Sequence, residues 1–161
     1  MSESWRRYTD GKLFLSRWHH ERSLASEEGL TKRAHDEAAD ALLAQAWRGM
    51  LNEMLARSGQ KARADSLETV TRFFEPDARP AALNLLLEGA AEPGHWVSRI
   101  QALIRQMGEP EPAGPAQEAV NAPWRDALLA SDAGTPEQNR AFILDAFQAW
   151  LTEWRTTWEE F

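Results

Sequence analysis

Residues 135–161 read TPEQNRAFILDAFQAWLTEWRTTWEEF, and this stretch decides the fold class. Thr135-Pro136-Glu137-Gln138 is a capping-box start with proline at the first helical position. At about 100° per residue, Ile143, Leu144, Phe147, Trp150, Leu151, Trp154, Trp158 and Phe161 all fall within about 120° of arc. The spacing predicts one long amphipathic helix over 136–160, with three Trp and two Phe along a single seam.

The same period runs outward through the chain. A helix is expected from residue 4 to about 26, with Trp5, Tyr8, Phe14, Leu15, Trp18 and Ala25 on one broad apolar arc and Leu13 and Leu24 off it. Gly11 weakens its first turns, so a late start or a bend is expected there. Thr31 is the expected N-cap of a second helix running to Arg57, with the stripe Ala39, Leu43, Ala46, Trp47, Met50, Leu51 and Met54. Ser58-Gly59 stops it, so residues 4–57 form an αα-hairpin. Asp65 or Ser66 caps a short helix carrying Leu67, Val70, Phe73 and Phe74 and ending before Pro76. Pro80 opens another, through Glu88. Residues 95–107 give the stripe Trp96, Val97, Ile100, Leu103, Ile104 and Met107. Residues 108–123, GEPEPAGPAQEAVNAP, hold four of the eight prolines and read as a linker or loop. A short helix over Trp124–Ala130 follows.

Composition agrees with a helical core. There are 26 Ala and 18 Leu against 3 Val and 3 Ile, too few β-branched apolar residues for a sheet. The 161 residues suit one domain over 1–161, an all-α irregular bundle of five to seven helices. Cysteine is absent, which excludes disulfide scaffolds, zinc–thiolate sites, iron–sulfur clusters and thiol catalysis. The N-terminal residues lack a signal peptide's apolar core, no run is apolar enough to span a membrane, and a cytoplasmic location is expected.

The net charge of −7 is uneven. Residues 1–75 hold 12 basic and 12 acidic residues, whereas residues 76–161 hold 6 and 13. The acidic half repels phosphate backbones and favours a basic partner.

Four constellations are candidates for function. The first is His19 and Arg22 facing Asp36 and Asp40 at the closed end of the hairpin. It reads as an acid/base site or as an ion pair that fixes register. The aspartates stand out because they lie on the apolar arc of their helix. The second is a helical nuclease whose motif is Arg, four to six residues, then His, and this motif and the other catalytic and ligand motifs are missing. There is no phosphate loop, dinucleotide-binding glycine run, nucleophile elbow or His-Glu-x-x-His, and no histidine has an arginine five to seven positions before it. No metal site and no cofactor are expected. The third is Arg57, Lys61, Arg63 and Arg72, which read as phosphate contacts or as cations at a helix C-terminus. The fourth is the tryptophan array. Seven of the eight Trp lie on apolar stripes, which suits a core. Trp150, Trp154, Trp158 and Phe161 run to the end of the last helix, which suits a partner surface.

The stretches YTDGKLFLSRWHHERSLAS and FILDAFQAWLTEWRTTWEEF resemble, at the level of helix pattern, an uncharacterised all-helical proteobacterial family of unknown function. The resemblance implies a small cytoplasmic bacterial protein and carries no catalytic residue across. The function expected is non-enzymatic: binding another protein, or a second copy of this chain, through a helical, Trp-lined, acidic surface. A nucleic-acid-associated factor using the basic stretch and an enzyme using His19 with Asp36 or Asp40 are the alternatives.

Overall fold

The structure, a computed structural model, describes residues 1–108 and 134–159. The expected linker at 108–123, apart from Gly108, the short helix at 124–130, and Phe161 lie outside the described residues. Six α-helices are present, with no strand among the described residues: α1 (Ser2–Ala25), α2 (Leu30–Arg57), α3 (Leu67–Thr71), α4 (Ala81–Ala91), α5 (Trp96–Met107) and α6 (Pro136–Glu159). A 3-10 turn, Pro76–Ala78, links α3 to α4.

The four long helices close a ring in which α1 packs on α2, α2 on α5, α5 on α6 and α6 on α1. The diagonal pair, α2 and α6, meets through side chains at the centre. There the Trp47 ring lies 6.1 Å from Phe147, and Trp96 of α5 stacks on Phe147 at 5.3 Å. This is an irregular helical bundle with a long N-terminal hairpin and a long C-terminal helix. No described helix is long and apolar enough to cross a membrane.

Local signals place most of the ends. Thr135 Oγ1 accepts from the Gln138 amide at 3.2 Å and Gln138 Oε1 accepts from the Thr135 amide at 3.0 Å, a reciprocal capping box. Ser66 caps α3 by accepting from the Thr69 amide, and His95 Nδ1 caps α5 by accepting from Val97. At the C-terminus of α2 the chain turns through Gly59 at φ 78, a left-handed conformation that suits glycine. The start of α2 differs from expectation, because its N-cap is Gly29 rather than Thr31.

The orientation of α1 overturns the expected one. Its buried residues are Thr9, Leu13, Ser16, His20 and Ser23, whereas Tyr8, Phe14, Leu15 and Trp18 are exposed, Phe14 to 70%. The helix also begins at Ser2 and runs through Gly11 without a break. The reason is the closeness of α1 and α2. A Cβ on Gly49 would come within 2.6 Å of Thr9 Oγ1 and 2.8 Å of the Tyr8 ring, so only small side chains fit this seam. Each buried hydroxyl is then satisfied, as burial requires. Thr9 donates to the Trp5 carbonyl, Ser16 to the Ala39 carbonyl at 2.7 Å, and Ser23 to Asp36.

Candidate functional site

At the closed end of the hairpin Asp36 and Asp40 do meet a cation, and it comes from α6. Arg140, nearly sealed from solvent, donates from Nε to Asp40 at 2.6 Å and from Nη1 to Asp36 at 2.9 Å. Lys32 bridges Asp36 at 3.2 Å and Glu137 at 2.9 Å. The histidine in this cluster is His20, whose Nδ1 lies 3.2 Å from Arg140 Nη1. A guanidinium has no acceptor, so Arg140 donates and His20 is neutral with its proton on Nε2. Burial first, and then Arg140, hold the His20 pKa below the ordinary imidazole value. For Asp36, burial pushes upward, but hydrogen bonds from Ser23, Arg140 and Lys32 outweigh it and keep the carboxyl ionised. The Lys32 bond to Glu137 lowers that carboxyl in turn.

His19 and Arg22 are not part of this cluster. His19 Nδ1 faces His35 Nδ1 at 2.9 Å, one donating and one accepting, and Arg22 lies 5.0 Å over the Trp18 ring. The cause is the rotated α1, which turns His20 inward and His19 to the side. The cluster therefore joins α1, α2 and α6 through mutually satisfied groups, and its arrangement is that of a structural clasp. No group of three or more metal-ligating side chains lies together among the described residues.

The basic stretch is dispersed. Arg57 pairs with the buried Glu53 at 3.0 Å and its guanidinium lies 5.4 Å over the Trp154 ring. Arg63 lies over Trp5, Arg72 pairs with Glu68, and Lys61 is exposed. The polar groove between α1 and α6, about 410 Å³, has its cations similarly engaged. Arg155 pairs with Asp10 and Glu53, and Arg17 with Asp145.

The aromatic seam of α6 divides along its length. Phe147 and Leu151 are sealed in the core, and Trp150 packs half-buried against it, 5.2 Å from Trp154 in a stacked pair. Trp154 is 6% exposed and Trp158 is 38% exposed. Both rings line an apolar groove of about 680 Å³. Its other walls are Phe74 after α3, Pro80, Ala81 and Ala82 at the start of α4, and Ser58 at the end of α2. Two buried polar atoms of the lining residues have no hydrogen-bond partner among the described residues: Trp154 Nε1 and Ser58 Oγ.

Sequence reading reached Trp154 and Trp158 but missed the walls opposite them. Phe74 and Pro80 were visible only as ends of short helices, and nothing local in Ser58 signals a groove. Arg140 did have a signal, since at about 100° per residue it falls at the centre of the apolar arc of α6. Such a charge needs buried acids, and Asp36 and Asp40 stand on the apolar arc of α2. Comparison of the chain with protein-family profiles, with curated proteins and with solved structures finds no match.

Proposed function

We propose that this chain is a non-enzymatic interaction protein that docks a partner protein in the groove beside Trp154 and Trp158. The observation that carries this reading is the apolar groove itself, in which a half-exposed Trp158 faces an otherwise sealed aromatic core. Tryptophan at the edge of a rigid, desolvated pocket is the residue type in which binding energy concentrates. The acidic balance of residues 76–161 favours a partner with a basic surface around its apolar anchor. The paired state of Arg57 and Arg72 and the satisfied closed-end cluster support this reading over a nucleic-acid contact or an acid/base site. The cysteine-free composition and the resemblance to a helical proteobacterial family suit a bacterial cytoplasmic protein.

The test is capture of a partner from native cell extract on the intact chain, repeated with Trp158→Ala and Phe74→Ala. Each change is expected to weaken the captured association about tenfold or more, with the melting temperature nearly unchanged for Trp158→Ala. If Trp158→Ala leaves association intact, or melts the fold, the ring serves the core alone. Sedimentation of the chain by itself reads out the homodimer in the same way.

A further inference from the structure

We infer that two copies of this chain associate through the outer faces of their α1 helices, laid antiparallel about a two-fold axis at Phe14. The inference is independent of the groove beside Trp158 and uses a different surface.

At about 100° per residue, Glu3, Arg7, Gly11, Phe14, Trp18 and Glu21 form one stripe along α1, on the side away from its buried seam. All six are exposed, and Leu15 is exposed beside them. Two outward rings and a leucine on one helix face make an apolar patch of the kind that partners cover. Gly11 points to a partner that comes close. Glycine inside a helix weakens it, yet a Cβ at Gly11 would meet nothing within 4 Å. No group of the described chain needs that space, whereas a ring arriving from outside does.

The charges select a second copy as the occupant. In a two-fold pair, a residue that faces a second residue is faced by it in turn. Arg7 and Glu21 stand seven residues before and seven residues after Phe14, one basic and one acidic. Antiparallel pairing centred on Phe14 therefore sets Arg7 of each copy beside Glu21 of the other. The same register brings Trp18 of one copy to the open space over Gly11 of the other, and Phe14 to its own counterpart. On the side toward α6, Asp10 of one copy falls beside Arg17 of the other, again opposite in sign. Each also keeps its partner within the chain, Arg155 for Asp10 and Asp145 for Arg17. Parallel pairing in register would instead set Arg7 on Arg7 and Glu21 on Glu21. Arg22, held over the Trp18 ring, opposes Arg7 of the second copy, weakly because both are exposed and screened. A helix of 24 residues is about 36 Å long, so one helix pair makes a small interface and a weak, reversible dimer.

The test is sedimentation velocity of the full chain at low salt, over concentrations from about 1 µM to 1 mM. The mass is expected to rise from one copy toward two across that range. Phe14→Glu is expected to weaken association about tenfold or more, and to leave unfolding at the dilute end of the range unchanged. Arg7→Glu and Glu21→Arg each set like charges together and are expected to weaken association several-fold. Mixing these two variants restores opposite charges at both contacts, so the mixture is expected to associate as the unchanged chain does. The double variant, Arg7→Glu with Glu21→Arg, is expected to do the same by itself. A different protein as the occupant gives no such rescue. A chain that stays monomeric at the highest concentration overturns the inference. A dimer lost in Trp158→Ala and kept in Phe14→Glu belongs to the groove and overturns it as well. If neither the mixture nor the double variant recovers, the antiparallel pairing about Phe14 falls. Should Phe14→Glu fail to fold, the charge variants decide alone.

Discussion

His20 shows what a single rotation of α1 decides. Turned inward, its ring is an acceptor for Arg140, and so it must stay neutral. Around it stand Arg17 and Glu21 on its own helix, Asp36 and Asp40 on α2 and Arg140 on α6. The folded pKa lies below the ordinary 6.5, so the unfolded chain binds the proton more readily. The stability that neutral His20 contributes is therefore present above 6.5 and lost as pH falls from there through the lower folded value. Asp36, also held low, adds a second loss in the same direction at much more acid pH, whereas burial raises the Asp40 carboxyl, which takes up a proton more readily in the folded chain and opposes the loss. We expect the melting temperature to decline on acidification from pH 7 toward 5, and His20→Gln to flatten that slope. An unchanged slope in the variant would place the titration elsewhere. Gly49 is the second decisive residue. A Cβ there meets the Thr9 hydroxyl at 2.6 Å and the Tyr8 ring at 2.8 Å, and that hydroxyl is buried and held by its bond to the Trp5 carbonyl. Gly49→Ala should cost about 1–3 kcal/mol by overpacking, read by chemical denaturation, despite alanine's better helix propensity.

At the scale of elements, α1 has two faces and the apolar one is outside. Phe14, Leu15 and Trp18 are exposed outside the seam of Thr9, Leu13, Ser16, His20 and Ser23, and the partly exposed Tyr8 lies at the edge of that seam beside Gly49. Counting apolar residues alone picks the wrong face here, whereas it picks the right one in α2, α5 and α6. The difference is physical. In those helices the large side chains fill a central volume, while the α1–α2 seam is close and is held by hydroxyls reaching backbone and carboxylate. The readable signal was a seven-residue repeat of small hydroxyl residues, Thr9, Ser16 and Ser23, with Leu13 and His20 repeating beside it. Two substitutions separate the faces. Phe14→Glu, on a ring 70% exposed, should change stability by no more than about 0.5 kcal/mol. Ser16→Leu should cost about 1–3 kcal/mol, because it overpacks the seam and removes the side-chain bond that ties α1 to the Ala39 carbonyl. Equal effects would mean that α1 sits the other way round.

For the whole molecule, the ring of four helices is tied across its diagonal by charge as well as by rings. Arg155 grips Glu53 with two bonds, 3.0 Å from Nε and 2.7 Å from Nη2, and reaches Asp10 at 2.6 Å, so α1, α2 and α6 share one knot. Arg140 makes a second knot with Asp36 and Asp40 on an earlier turn of α6. Half of this was open to sequence reading, since Asp36 and Asp40 announce a buried cation by standing on an apolar arc. Its identity was not, because Arg140 lies about a hundred residues away along the chain and only the closure of the ring brings it near. Such knots orient helices more than they stabilise them. Glu53→Ala leaves Arg155 and Arg57 facing an empty site and should cost about 3–5 kcal/mol. Replacing Glu53 and Arg155 together by Met should recover part of that loss, since their two desolvation penalties vanish with the charges while Arg57 still lacks its carboxylate. If the double variant is no more stable than Glu53→Ala, the knot holds the bundle by energy and not by register. Phe147→Ala supplies the scale, as loss of the ring stacked on Trp96 and beside Trp47 should cost about 3–5 kcal/mol with no such rescue. All three variants are read by denaturant unfolding followed in the tryptophan signal and in far-ultraviolet circular dichroism. The two curves should coincide, because rings and knots belong to one core.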